Sequence, residues 1–278
     1  MPAFRHIGLF CLKGHAQSQE TLESLQQQLE ARHYQVSLYP LTSPETDPEK
    51  TPVDVVISIG GDGTLLRIAR GLSLQGIPVI GINRGTLGFL TDILPHQILS
   101  HLIPMLEGHA QESQRFLLEG SSPQHSKKNN ALNDIVLFSG QASLLEFELR
   151  IDGEFVYRQR SDGLIISTPT GSTAYALSAG GPVLTPDVDA ILLVPKSPHA
   201  LSFRPLVIPS HQNIQLEVIN YRDQAPKISF DGHEEWVLER EELFTISRQA
   251  KPLRLLHPKT HNDYQVLRSK LHWSVMPT

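Results

Sequence analysis

Cysteine is almost absent: Cys11 is the one thiol in 278 residues. A lone thiol closes no disulfide and supplies no metal set, which fits a reducing compartment and a cytoplasmic protein. Long apolar runs are missing as well. No stretch nears the roughly 18 residues that span a bilayer, so no membrane association is expected. The opening MPAFRHIGLFCLKGH holds an apolar run of strand length, without the long h-region and cleavage site of a secretory signal. Basic clusters are scarce too. Net charge is −5 with no long Lys/Arg run, so nucleic acid is not an expected partner. Three catalytic or nucleotide motifs are also lacking. There is no G-x-x-x-x-G-K-[ST], which removes a P-loop, and no G-x-S-x-G elbow of a serine hydrolase around 171–173. The dinucleotide pattern G-x-G-x-x-G fails at 60–65, where Asp62 and Leu65 occupy two glycine positions. His257 and His261 are four apart, but Pro258 works against a shared helix face, so no metal ligand set is expected.

What remains is an ordinary globular composition, 40% hydrophobic and 19% charged, in a chain long enough for one large domain or two packed ones. The chemistry of the pattern changes along it. Residues 6–12, 36–39, 53–59 and 77–82 read as strands, with helices at 18–32, 65–71 and 97–106 between or after them. Leu22, Leu25 and Leu29 share one helix face, and the continuous apolar run before residue 60 suits a strand buried on both sides. This alternation predicts an α/β N-terminal domain, a parallel sheet with flanking helices. From about residue 115 the period becomes two. Leu145, Phe147, Leu149 and Ile151 alternate with Glu146, Glu148 and Arg150, and Asp152-Gly153 follows as hairpin-turn chemistry. Further strands at 135–138, 164–167, 214–219, 227–230 and 243–247 make the second half mainly β. The polar segment 120–130 reads as a mobile loop.

The chemically loaded element is GGDGT at 60–64, placed between a buried strand and a helix start. Gly60, Gly61 and Gly63 let backbone N–H groups approach a ligand, and the helix N-terminus favours phosphate. Asp62 adds nothing to phosphate binding. It fits a base that takes a proton from an attacking hydroxyl, or a group facing a magnesium ion; the alternative is a plain helix cap. One strand later, GINRGTLGFLTD (81–92) repeats the strand-to-glycine logic, so Asn83, Arg84 and Phe89 can face the same ligand, Phe89 alternatively being core. The segment 160–186 combines small hydroxyl residues with glycines, a surface suited to ribose hydroxyls and phosphates. Asn133-Asp134, entering a strand, reads either as a diol-binding pair or as an Asx turn.

Together GGDGT, GINRGTLGFLTD, LND (132–134), RSDGLIISTPTGSTAYALSAGGPVLTP (160–186), FRPL (203–206) and DGH (231–233) resemble the NAD kinases, over residues 54 to 258. The resemblance implies transfer of the γ-phosphate of ATP, with Mg²⁺ arriving on the nucleotide, to the adenosine 2′-hydroxyl of NAD. It makes Asp62 the general base and Gly60, Gly61 and Gly63 the phosphate loop. Asn133 and Asp134 would bind ribose hydroxyls; the family often has Glu at the second position, so Asp134 has a shorter reach. Asp162, with Arg160 nearby, would contact the nicotinamide side. Thr173, Ala174, Tyr175 and Ser178 would line the nucleoside pockets and Phe89 the adenine. His233 would lie close to the donor or a second nucleotide, and Arg67 would reach phosphates. The implied fold is the α/β domain (1–116) followed by an all-β C-terminal sandwich that binds NAD (117–256). The chain end (257–278) would return to the first domain. Small-molecule nucleotides are then the partners, in a homo-oligomer, dimer or tetramer. Two rivals share parts of this pattern. One is a lipid or sugar kinase built on GGDGT. The other is a dinucleotide sensor without turnover, which would have no need of a carboxylate at 62.

Overall fold

A computed structural model describes residues 3–12, 16–40, 53–85, 88–140, 144–200, 202–222 and 224–273. The chain divides into two compact units, Met1–Arg115 with Lys251–Thr278, and Phe116–Ala250. The returning segment therefore begins earlier than residue 257, because residues just before it form a strand of the first unit.

That unit is built on one six-stranded sheet. Its strands are β1 (His6–Cys11), β2 (Gln35–Pro40), β3 (Val55–Ile59), β4 (Val79–Ile82), β5 (Gln111–Arg115) and, from the chain end, β18 (Leu253–His257). They lie in the order β2-β1-β3-β4-β18-β5. All pairings are parallel except β18 with β5. β3 and β4 are buried along their whole length, which explains their unbroken apolar sequences. Helix α1 (Ala16–Glu30) buries Leu22, Leu25 and Leu29. Helix α2 (Asp62–Gln75) buries Thr64, Leu65, Ile68, Ala69, Leu72 and Ser73, one stripe of a 3.6-residue period, and stops at Gly76 in the left-handed region (φ 70°). It starts earlier and ends later than the sequence suggests. The helix expected at 97–106 is instead an irregular helical stretch, with a 3₁₀ turn at Pro95–Gln97 and wide π-type turns at Ile98–Leu102 and Met105–His109. Pro104 lacks an N–H and its ring crowds the carbonyl four residues back, so a regular α-helix cannot run through it.

The second unit holds two six-stranded sheets in which every pairing is antiparallel. One contains β6 (Leu118–Ser121), β7 (Asn129–Ala131), β9 (Leu145–Ile151), β10 (Glu154–Ser161), β14 (Ile214–Asn220) and β17 (Leu243–Arg248), in the order β10-β9-β14-β17-β6-β7. The other contains β8 (Asp134–Phe138), β11 (Gly163–Ser167), β12 (Ala190–Lys196), β13 (Leu206–Pro209), β15 (Lys227–Phe230) and β16 (Glu234–Val237), in the order β13-β12-β11-β8-β15-β16. One apolar core draws on both, from Leu145, Phe147 and Leu149 to Ile135, Leu164 and Phe230, so the unit is a β-sandwich. The alternation along β9 and the Asp152-Gly153 turn are as the sequence reads: both turn residues have positive φ, 49° and 85°. Segment 120–130, expected to be a mobile loop, has strand only at its two ends, with turns and bends over residues 122–128 between β6 and β7. Glu119 pairs with Asn130 and Gly120 with Asn129.

The β8-β11-β12 face opposite that core has a smaller cluster of its own, Val136, Ile165, Ala176, Leu192 and Val194. Ala176 comes from α3 (Tyr175–Ser178), so the hydroxyl-rich segment lies over this face.

Candidate active site

In the first unit the chemistry gathers at the start of α2. Gly61 is the N-cap, without a side-chain cap, and Asp62 is the first helical residue. The Asp62 carboxylate does not cap its own helix; it is turned toward residues 89–91. Oδ1 accepts from the Leu90 N–H (3.0 Å), the Thr91 N–H (3.1 Å) and the Thr91 hydroxyl (2.9 Å), while Oδ2 accepts from the Phe89 N–H (2.8 Å). Asn83 completes the brace, its Nδ2 donating to Thr91 Oγ1 (2.8 Å) and its Oδ1 accepting from Gly85 N–H (3.1 Å). Gly88 is needed for this fit, since a Cβ there would lie 2.2 Å from Asp62 Oδ1. Oδ1 is saturated; Oδ2 keeps a lone pair for an incoming proton. The N–H groups of Gly61, Asp62 and Gly63 find no backbone acceptor among the described residues, as expected where a helix begins. Arg67 is exposed on α2, Arg84 is exposed beside the loop, and Phe89 is half-buried.

In the second unit a pocket of about 380 Å³ opens beside β8 and β15. Four of the residues singled out from the sequence line it: Asn133, Asp134, Ala174 and Tyr175. Phe138, Lys196, Ser229, Asp231 and Gly232 join them. Asp134 is 5% exposed. Burial, helped by the nearby Asp231 carboxylate, pushes its carboxyl up to about 7. Asp231, in the left-handed region (φ 51°), does the positioning. Its carboxylate accepts from the N–H groups of Leu132 (2.9 Å), Asn133 (2.7 Å) and Asp134 (3.2 Å), so the LND turn is held by a residue about a hundred positions away. Lys196 brings a cation to the pocket, with Nζ 5.3 Å from the Tyr175 ring centre and 5.7 Å from that of Phe138. Sequence reading passed over Asp231 and Lys196 as site residues, although DGH at 231–233 marked the first.

The hydroxyl-rich segment behaves differently from expectation. Several of its hydroxyls are spent inside the protein. Thr168 donates to Leu132 O (2.6 Å) and Ser167 to Thr168 O (2.9 Å). Ser172 donates to Pro169 O (2.7 Å) and accepts from Leu184 N–H (2.9 Å), and Thr173 donates to Thr170 O (3.2 Å). They bolt the 167–173 turn to the LND turn. Gly171 permits the approach, because a Cβ there would meet Asn133 O at 2.1 Å. Thr173 and the exposed Ser178 are outside the pocket lining, as are Arg160, Asp162 and His233. Arg160 is exposed and paired with Glu146 on β9 (3.1 Å). Asp162 ties its backbone to Lys196 O and Ser139 N–H, both at 3.1 Å. His233 is exposed in the turn after β15, its N–H donating to Phe230 O (3.0 Å).

These arrangements have relatives among known proteins. A family model described as the ATP-NAD kinase N-terminal domain matches residues 7–110, and one for the ATP-NAD kinase C-terminal domain matches residues 132–257. An NAD kinase of Pseudomonas fluorescens is 43% identical over 287 aligned positions, covering 98% of this chain and 97% of the relative. An NAD kinase of Pseudomonas entomophila is 42% identical over the same span. Among solved structures, a yeast NADH kinase complexed with NADH superposes with a TM-score of 0.86 at 27% identity, covering 100% of this chain and 90% of that one. An NAD kinase from Archaeoglobus fulgidus in complex with ATP gives 0.78 at 28% identity, covering 98% and 100%. With both domains matched in order and an identity this high over the full length, the chain belongs to the NAD kinase family.

Proposed function

We propose that the chain is an ATP-dependent NAD kinase that transfers the γ-phosphate of Mg·ATP to the adenosine 2′-hydroxyl of NAD, giving NADP and ADP. The observation that carries this reading within the family is Asp62, a carboxylate fixed by four donors with one lone pair left over, at a helix start rich in free N–H groups. The ribose hydroxyl attacks the γ-phosphorus, the bond to the β-phosphate oxygen breaks, ADP departs, and Asp62 Oδ2 takes the hydroxyl proton. Positioning and charge neutralisation supply most of the acceleration. Gly60, Gly61 and Gly63 shape the phosphate loop, and Arg67 reaches toward phosphate. Bound with the nucleotide, Mg²⁺ would supply neutralisation of phosphate charge. Asn133 and Asp134 hold ribose hydroxyls, with Ala174 and Tyr175 forming the pocket wall. Phe89, Arg160, Asp162, Thr173, Ser178 and His233 are proposed as further nucleotide contacts.

A single assay tests this. Tag-free protein with ATP, Mg²⁺ and NAD should form NADP, and Asp62→Asn should lower kcat by about 10²–10⁴-fold with little change in KM. No NADP, or an Asp62→Asn variant equal to the parent, rejects the proposal. The likeness to an NADH kinase favours one second reading, NADH as acceptor; a higher kcat/KM for NADH than for NAD would select it. A cytoplasmic setting is supported by the single, buried, unpaired Cys11. A homo-oligomer, dimer or tetramer, is supported by edge strand β13, which leaves Leu206 and Val207 exposed. Light scattering on the pure protein reads the state directly.

A further inference from the structure

We propose that Asp92, His257 and His261 form a binding site for one borderline-soft divalent cation of the zinc class. Asp92 lies more than 160 positions before the two histidines, and the fold of the first unit brings the three ligand atoms within 4.8 Å of one another. His257 ends β18, and the turn after it, closed by His261 N–H donating to Pro258 O (2.9 Å), places the second ring over the first. The proline that rules out a shared helix face thus makes a shared turn instead. The rings stack at 3.8 Å, and both Nδ1 atoms point at the same atom, Asp92 Oδ2, each at 2.8 Å.

Two features favour a cation over a plain polar cluster. Each ring is oriented through its other nitrogen, His257 Nε2 by Ser113 Oγ (3.0 Å) and His261 Nε2 by Asp263 Oδ1 (3.3 Å). Ligating histidines are held in this way, with the outer nitrogen bonded to an oxygen so that the inner one faces the ion. The second feature is Asp92 Oδ1. Its side chain is 6% exposed, yet that oxygen is buried with no hydrogen-bond partner among the described residues. A buried carboxylate oxygen left orphaned is costly, and an ion bound through both carboxylate oxygens removes the cost. Two imidazole nitrogens and a carboxylate suit zinc or cobalt rather than magnesium, which prefers all-oxygen shells. Ligand bonds near 2.0–2.2 Å at tetrahedral angles set neighbouring donors about 3.3 Å apart, so each nitrogen need draw back from Asp92 Oδ2, now at 2.8 Å, by only about half an ångström. Arg115 lies against the cluster but is paired with Asp263 (3.5 Å), so its charge is already offset. Asp92 directly follows Thr91, which binds Asp62 through both its N–H and its hydroxyl. A bound ion would therefore pin the clamp of that carboxylate to the chain end.

The test uses the full chain, tag-free and stripped with a chelator. Calorimetric titration should show one equivalent of Zn²⁺. Co²⁺ should give visible d–d bands without sulfur-to-metal charge transfer, and paramagnetically shifted signals of two imidazole N–H protons, one from each histidine. His261→Gln and Asp92→Asn should each weaken binding by about tenfold or more. The proposal is overturned by no saturable binding to the folded parent, or by affinity unchanged in both variants. A thiolate charge-transfer band, pointing to Cys11, overturns it too, as do fewer than two shifted imidazole protons. The spectra of the parent decide the matter even if neither variant folds.

Discussion

At the residue scale the informative groups are carboxylates whose surroundings differ. Asp134 is buried next to another acid, and its carboxyl is raised to about 7. Its protonated form is the one the fold favours. This contribution to stability is therefore complete below the ordinary carboxylate range and is lost as pH rises toward about 7. Denaturant midpoints of the parent should fall between about pH 4 and about pH 7 relative to Asp134→Asn, which lacks this titration. A ribose hydroxyl donates to the ionised form, so KM for NAD should improve over the same interval in the parent and stay level in Asp134→Asn; parallel profiles would remove Asp134 from the diol site. Asp62 makes a steric prediction instead. Gly88→Ala puts a methyl where the Asp62 carboxylate now sits, and should lower kcat by about tenfold or more while KM moves less. An unchanged kcat would mean that the clamp does not orient Asp62. Asp62 stood out in the sequence as an acid between the glycines of a phosphate-type loop, while its bonds to residues 89–91 left no sign there. The hold of Asp231 on the LND turn and the meeting of Asp92 with His257 and His261 were not legible, because those partners lie 97 to 169 positions apart.

At the element scale the hydroxyl-rich turn shows how a motif can be recognised correctly for partly mistaken reasons. Its density of Ser and Thr looks made for a ligand, yet Ser167, Thr168 and Ser172 are fully buried and satisfied internally. Ser172→Ala would leave the Leu184 N–H without its acceptor, and a buried group left unsatisfied costs about 1–3 kcal/mol. Chemical denaturation should show a loss of that size, and a neutral result would mean that water replaces the hydroxyl. Strands with clean alternation or unbroken apolar runs, such as β3 and β9, could be read directly. β12 was passed over although it lies inside its sheet, because Pro195 interrupts the pattern near its end. β13, β16 and β18 were passed over too: Pro209 ends the first, Glu234 and Glu235 open the second, and Arg254 interrupts the third.

At the scale of the whole molecule the main fact is that the first unit is discontinuous in sequence. β18 supplies buried Leu253, Leu255 and Leu256 and is the only link between β4 and β5 in the sheet order. A chain ending at Ala250 should therefore lose the cooperative unfolding of the first unit, while the sandwich, Phe116–Ala250, keeps its own core. Proteolysis of the truncated chain should leave a fragment near those limits; a protected N-terminal fragment would refute the role given to β18. The same placement orders events during synthesis. The ribosome makes β1 to β5 first, but they must wait, with a gap in their sheet, while the whole sandwich is translated and free to fold. The unit that carries Asp62 gains β18, Leu253–His257, only after the sandwich has been made. A prematurely terminated or C-terminally clipped chain is thus incomplete in its phosphate-loop unit, so intact translation is itself a check on which copies can act.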